Sequence, residues 1–198
     1  MTNLRTPTVP FRDSKTAKNL LLSFAGESQA RNRYTYFARA ARQEGFIQIA
    51  DIFEETANQE CEHAFRFFKF FNGGEMEISG SFPTGVVKST VENLLAAADG
   101  EHHEHAELYP EFARIAREEG FERAAETWEA VCVSEKQHEK RYRELAANMK
   151  ADRVFKRDKP VVWRCRNCGY LHEGTEAPRQ CPACLKLREQ FELLGENW

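Results

Sequence analysis

The sequence predicts a mainly α protein: a four-helix bundle with one long crossover, followed by a small C-terminal domain of strands and loops built around a metal. Three observations predict it. Residues 14 to about 149 are rich in Ala, Glu, Arg and Phe, poor in Pro and Gly, and carry apolar residues at the three- and four-residue spacing of helix faces. Within that stretch, Phe37–Phe46 (FARAARQEGF) matches Phe112–Phe121 (FARIAREEGF) at eight of ten positions, which points to a duplicated helix pair. From Val161 onward the helical period stops and two Cys-x-x-Cys pairs take its place.

The first helix is expected over Ser14 to Gln43, with an apolar stripe of Leu20, Phe24, Glu27, Tyr34, Ala38 and Ala41 that Arg31 interrupts. The second is expected over Ile47 to Phe71, its stripe reading Phe46, Ala50, Phe53, Ala57, Glu60, Ala64, Phe68 and Phe71. Asn72 to Thr84, rich in Gly, Ser and Pro, is long for a hairpin between helices and suits a crossover between two antiparallel pairs. The third helix is expected over Lys88 to Glu119 (Leu94, Ala98, Glu101, Leu108, Phe112, Ile115) and the fourth over Glu122 to Lys150 (Phe121, Ala125, Trp128, Cys132, Glu135, Tyr142). Gly45 and Gly120 sit where helices end in a left-handed residue. An offset of 75 relates Tyr34 to Tyr109, Glu60 to Glu135 and His63 to His138, but upstream it falls to 74, relating Gly26-Glu27 to Gly100-Glu101. One residue has therefore been added between Glu101 and Phe112, around Pro110, and a π-bulge in the third helix is the expected way to absorb it.

The domain reading is a bundle over 1–150, a charged linker over 151–160 ending at Pro160, and a small domain over 161–198, a size that seldom folds without a metal or another staple. The net charge of -3 and pI near 6.1 argue against a nucleic-acid binder. Met1 to Asp13 lacks the apolar core of a secretory signal and no apolar run is long enough to span a bilayer, so a cytoplasmic protein with no membrane partner is expected. In that setting paired cysteines read as a metal or redox site before a disulfide framework.

The chemistry starts from Glu on apolar stripes. Each helix turns one inward at mid-length: Glu27, Glu60, Glu101 and Glu135. Four unpaired carboxylates in one core would repel one another and lose their hydration, at several kcal/mol each. A pair of divalent or trivalent cations removes both problems. Two of the four belong to Glu-x-x-His, Glu60–His63 and Glu135–His138, a spacing that puts both side chains on one helix face. Carboxylate oxygens with imidazole suit iron or manganese; the plainer alternative is buried salt bridges to nearby Arg. Glu104, one turn after Glu101, is an added carboxylate, either exposed or a further ligand. Among His102, His103 and His105, His105 is best placed to face inward, and a surface or supporting role is expected of all three. Tyr34 and Tyr109 are either aromatic core or phenols that hydrogen-bond a ligand carboxylate or bound peroxide. Cys61 and Cys132 read as small buried hydrophobes.

Cys165, Cys168, Cys181 and Cys184 form Cys-x2-Cys-x12-Cys-x2-Cys, four thiolates for a tetrahedral zinc or single iron. Gly169, Tyr170 and Pro182 would let backbone amides turn toward sulfur, and Trp163 and Phe191 could shield the metal.

Together these motifs resemble the rubrerythrin family: Gly26-Glu27, Glu60-x-x-His63, Gly100-Glu101-His-His-Glu104, Tyr109-Pro110, Glu135-x-x-His138, the two cysteine pairs, and the ending Phe191–Trp198, all in the family's order. The resemblance implies a ferritin-like diiron bundle with a rubredoxin-like Fe(Cys)4 domain, zinc being the other candidate for the thiolates. It implies that Glu60 and Glu135 bridge two irons, that Glu27, Glu101 and His138 are terminal ligands, and that Glu104 (oxidised) and His63 (reduced) alternate on one iron. It further implies a homodimeric peroxidase in oxidative stress defence that reduces hydrogen peroxide to water, with Glu104, Tyr34, Tyr109 and His63 in the reaction. Its electrons would come from a rubredoxin or an NAD(P)H-dependent flavin reductase. Two other readings compete. A ferroxidase or iron-storage protein of ferritin type would need no one-electron relay, and a zinc-ribbon adaptor on a structural bundle would be colourless.

Overall fold

A computed structural model describes residues 6–196. Readings that touch Met1–Arg5 and the final Asn197-Trp198 lie outside the described residues. The long helices are α1 (Lys15–Gln43), α2 (Ile47–Phe68), α3 (Thr90–His103), α4 (Tyr109–Glu119) and α5 (Glu122–Lys150), and a five-residue π segment, Glu104–Leu108, joins α3 to α4. In sequence terms α3, the π segment and α4 are the third helix of the bundle.

Local chemistry sets these limits. Ser14 caps α1, its Oγ accepting from Ala17 N at 2.9 Å. Gly45 (φ 82°) and Gly120 (φ 87°) supply the left-handed residues after α1 and α4. At Gly120 a side chain would also collide with Pro7 Cα and Thr6 O, each 2.9 Å from a Cβ position. α2 ends at Phe68, short of the expected Phe71, and the buried residue of its last turn is Phe67, with Phe68 52% exposed. A three-residue step from Ala64 keeps the Phe67 ring between Tyr109 and Trp128, at centroid distances of 5.8 and 6.0 Å; the expected four-residue step to Phe68 points away from the core. The third helix starts at Thr90, with Ser89 N donating to Glu92 Oε2 at 3.3 Å.

α1 packs on α2, and α5 packs on both α3 and α4. The segment between α2 and α3 holds no helix or strand and lies across α1, where Gln29 Nε2 donates to Pro83 O at 3.1 Å. Two apolar clusters fill the bundle. One contains Tyr34, Phe37, Phe53, Leu94 and Tyr142, and the other Leu20, Phe67, Tyr109, Phe112 and Trp128. Between them fall the inward Glu27 of α1, Glu60 of α2, Glu101 of α3 and Glu135 of α5.

After α5 a three-stranded antiparallel sheet has the order β2-β1-β3, from β1 (Lys156–Cys165), β2 (Leu171–Glu176) and β3 (Phe191–Leu193). The stretch expected as a linker up to Pro160 is therefore strand from Lys156, with a bulge between Lys156 and Val161. Phe155 explains the early start: its carbonyl accepts from Ala177 N at 3.0 Å, it packs against the core of Trp163, Cys165 and Phe191, and its ring stacks on Phe46 at 6.2 Å. Among the described residues no helix is long and apolar enough to cross a membrane.

Candidate metal centres

The inward Glu residues meet in one layer. Glu27, Glu60, His63 and Glu135 form one group of converging donors, and Glu60, Glu101, Glu135 and His138 form another. The groups share Glu60 and Glu135, so two neighbouring cations would have two carboxylates in common. All four Glu side chains are at most 1% exposed. His63 Nδ1 lies 2.9 Å from Glu60, 2.8 Å from Glu135 and 4.0 Å from Glu27. His138 Nδ1 lies 3.1 Å from Glu60, 2.7 Å from Glu135 and 3.9 Å from Glu101.

The donors fit metal ions better than they fit one another. Glu27 Oε2, Glu60 Oε1, Glu101 Oε2, both oxygens of Glu135 and His138 Nδ1 are buried without an aligned hydrogen bond, and such atoms are costly unless something else satisfies them. In the protein alone, burial and then the charge of Glu104 push the Glu27 carboxyl well up, and burial and then Glu60 do the same to Glu101. Burial pulls His63 and His138 down, but the close carboxylates of Glu135 and Glu60, with Glu101 beside His138, outweigh it and lift them to about 10 and about 12. Two cations on the shared carboxylates would take over the role that these protons play.

The outer contacts orient the donors. Tyr34 Oη donates to Glu101 Oε1 and Tyr109 Oη to Glu27 Oε1, both at 2.5 Å, so the repeat-related tyrosines each hold a carboxylate. His138 Nε2 meets Gln59 Oε1 at 2.9 Å, which keeps Nδ1 free to face the carboxylates. The sequence reading missed Gln59; its position next to Glu60 was the available signal. It missed Glu139 too, which follows His138 and pairs outward with His102 and His105 at 3.2 and 2.6 Å. His105 thus sides with an outer carboxylate and does not face the layer. His103 pairs with Glu107 on the surface at 3.1 Å.

Glu104 opens the π segment, where Tyr109 N donates to Glu104 O, a five-residue step. The expected bulge therefore falls in the expected interval. Pro110, which has no N–H, follows in the first turn of α4, where a missing donor costs little. Glu104 is half-buried, about 4.0 Å from where a Cβ on Gly26 would stand, and belongs to neither converging group; His63 does. Burial and then Glu135 hold its carboxyl well above the usual range. Cys61 and Cys132 are partly rather than fully buried, and Cys132 packs against the cluster of Phe67 and Trp128. Burial, then Glu135, raises the Cys132 thiol to about 11.

The four cysteines of the small domain converge as well. Cys165 Sγ–Cys184 Sγ is 3.8 Å and Cys168 Sγ–Cys181 Sγ is 3.6 Å. A tetrahedron with metal–sulfur bonds of about 2.3 Å has edges of about 3.8 Å, whereas a disulfide needs about 2.05 Å. Two left-handed residues shape the knuckles: Gly169 (φ 78°), whose N–H meets Cys165 O at 2.8 Å, and Leu185 (φ 60°). Amides turn toward sulfur as expected. That of Lys186 chiefly lowers the Cys184 thiol to about 6, and those of Cys168 and Asn167 reach Cys165, whose thiol burial raises. Trp163 and Phe191 are buried beside Cys165 and Cys181.

Comparison with known proteins agrees with both centres. The family model described as Rubrerythrin matches residues 18–146, and the one described as Rubrerythrin, rubredoxin-like domain matches residues 163–192. The chain is 57% identical to the rubrerythrin of Nitratidesulfovibrio vulgaris over 187 residues, covering 94% of this chain and 98% of that one. A structure titled as a mixed-valence state of nigerythrin superposes with a TM-score of 0.61 at 32% identity, covering 98% of this chain and 91% of that one. A bacterioferritin from Desulfovibrio desulfuricans, titled for the catalytic states of its diiron site, shares the bundle fold with a TM-score of 0.64 at 21% identity, covering 74% of this chain and 87% of that one.

Proposed function

From the premise that this chain belongs to the rubrerythrin family, with its diiron and rubredoxin-like domains, we propose that it is a peroxidase that reduces hydrogen peroxide to water. One observation carries the reading: a buried layer of carboxylates and imidazoles shares Glu60 and Glu135 between two donor groups, in the same chain as a separate four-thiolate cluster. Reducing one hydrogen peroxide to two waters takes two electrons and two protons.

Glu60 and Glu135 would bridge two irons, with Glu27, Glu101, His63 and His138 completing them, and Cys165, Cys168, Cys181 and Cys184 would hold a third. When bound, the paired irons supply two electrons and Lewis-acid polarisation of the O–O bond, and the thiolate iron passes electrons singly. The protein's own part is positional and protonic. Tyr34 and Tyr109 lock Glu101 and Glu27 in place while keeping their hydroxyl protons at the layer. Glu104, whose carboxyl is pushed well above the usual range by burial and then by Glu135, is the candidate to hand a proton to the departing oxygen. It lines a cleft of about 290 Å³ with Gly26, Arg33, Gly100 and Tyr109, roomy enough for peroxide. Glu104 and His63 would be alternative ligands of one iron, Glu104 when it is oxidised and His63 when it is reduced, and His63 is the member seated among the donors here. The electron donor would be a rubredoxin or an NAD(P)H-dependent flavin reductase, and the assembly a homodimer in the cytoplasm.

The test is metal analysis joined to absorption spectroscopy. About three irons per chain are expected, with thiolate-to-ferric bands that bleach under reductant and return on adding peroxide. Bands that return with oxygen but not with peroxide, or a colourless zinc-loaded protein, would overturn the reading.

A further inference from the structure

We propose that His102, His105 and Glu139 form a further metal site on the outer side of the bundle, separate from the carboxylate layer, that takes one divalent first-row transition cation. Glu139 Oε2 lies 3.2 Å from His102 Nδ1 and 2.6 Å from His105 Nε2, and the two rings are 5.3 Å apart at 83°. Three donor atoms therefore already converge. Donors held at about 2.0–2.1 Å by one cation stand about 3.0–3.4 Å from each other, so the Glu139–His102 edge already fits, the Glu139–His105 edge has to open by tenths of an ångström, and all three donor atoms lie within 4.8 Å of one another. His105 and Glu139 are 14% and 15% exposed, which fixes them, while His102 is 51% exposed and leaves room for water in the remaining positions. Two imidazoles and one carboxylate favour ferrous iron, zinc or cobalt over magnesium or calcium.

The competing account is a network of ion pairs. Arg143 Nε donates to Glu139 Oε1 at 2.7 Å, and its Nη2 reaches Asp99 at 3.0 Å. That contact occupies the other oxygen of Glu139 and leaves Oε2 to the imidazoles, and Asp99 offsets the guanidinium charge. The fold itself does not demand ions here. The duplication places Ser28, Arg31 and Ala64 at the matching positions of α1 and α2, and that face is a largely apolar groove with Phe24, Cys61, Phe65 and Phe68. One half of the pseudo-symmetric bundle thus packs without the cluster that the other half carries.

Equilibrium dialysis of the iron-loaded full chain against micromolar Co²⁺, with cobalt and iron both counted, tests the site. One cobalt per chain beyond any iron displaced is expected, and His105→Asn should weaken its binding at least tenfold with iron content and thiolate absorption unchanged. His102→Asn, a change at a half-exposed side chain, should weaken it as well and guards against a folding defect in the first variant. No cobalt beyond exchanged iron, or equal uptake by both variants and the parent chain, would overturn the site and leave the ion-pair network. The assay uses no peroxide, so its failure is distinct from failure of the peroxidase reading.

Discussion

The bundle and the C-terminal domain both gather metal donors, but they stand in opposite relations to their cores. In the bundle two aromatic-rich clusters flank the carboxylate layer, and neither contains a donor. In the small domain the buried core is Trp163, Cys165, Ala177, Cys181 and Phe191, of which two are donors themselves. The first arrangement predicts a scaffold that folds and then tolerates its acids until cations arrive. The second predicts a domain whose folding free energy is in large part its metal binding. A buried donor thus means different things in the two places: in one it opposes the fold, in the other it is part of it.

The largest expected effect tests the second half of that contrast. Cys181→Ser should remove the thiolate absorption and unfold residues 156–193, a loss on the order of 10 kcal/mol of metal-linked stability, seen as a red shift of Trp163 emission. The helical circular dichroism should persist; its collapse would break the contrast. Next, Glu135→Gln should cost more than about a hundredfold in peroxide turnover, beyond what supporting residues usually cost, with both bundle irons lost and the helices retained.

The pH response of the metal-free bundle sharpens the point. His63 and His138 have folded values of about 10 and about 12 against 6.5 unfolded, so their contribution is complete below 6.5 and drains away as pH rises through the folded values. Glu27 and Glu101, raised from 4.5, act in the same direction. The melting temperature of the metal-free chain should therefore fall between about pH 6.5 and 10, and the iron-loaded chain should lose less; parallel curves would contradict the assignment. Tyr109→Phe is expected to cost about 1–3 kcal/mol, the penalty for stranding a buried acceptor, here Glu27 Oε1, and denaturant melts would measure it. The smallest effect concerns the contact between the two regions. Arg166 pairs with Asp51 of α2 at 2.6 Å, partly exposed, and Asp51→Ala should cost at most about 1 kcal/mol while slowing reoxidation of the thiolate iron a few-fold in stopped-flow absorbance.

Much of the site was legible because duplication prints it twice. Glu60–His63 and Glu135–His138 announce themselves by spacing, and the change of offset from 75 to 74 locates the π segment within a few residues. Gln59, Glu139 and the burial of Phe67 were not legible, since each depends on which neighbour a helix happens to face. The start of β1 at Lys156 was hidden for the same reason: Phe155 looks like part of a charged linker until Ala177 and Phe46 are beside it.

The sequence by itself determined the inward Glu of each helix, the four thiolates and the extra residue in the third helix, because periodicity and spacing are properties of the chain alone. The family resemblance implied that Glu60 and Glu135 are shared, and the tertiary structure supplied the convergence that makes them so; only the tertiary structure decided that His63 rather than Glu104 is seated among them and that His105 turns outward to Glu139. Those outcomes depend on distances between helices that meet only after packing, which no interval along one chain encodes.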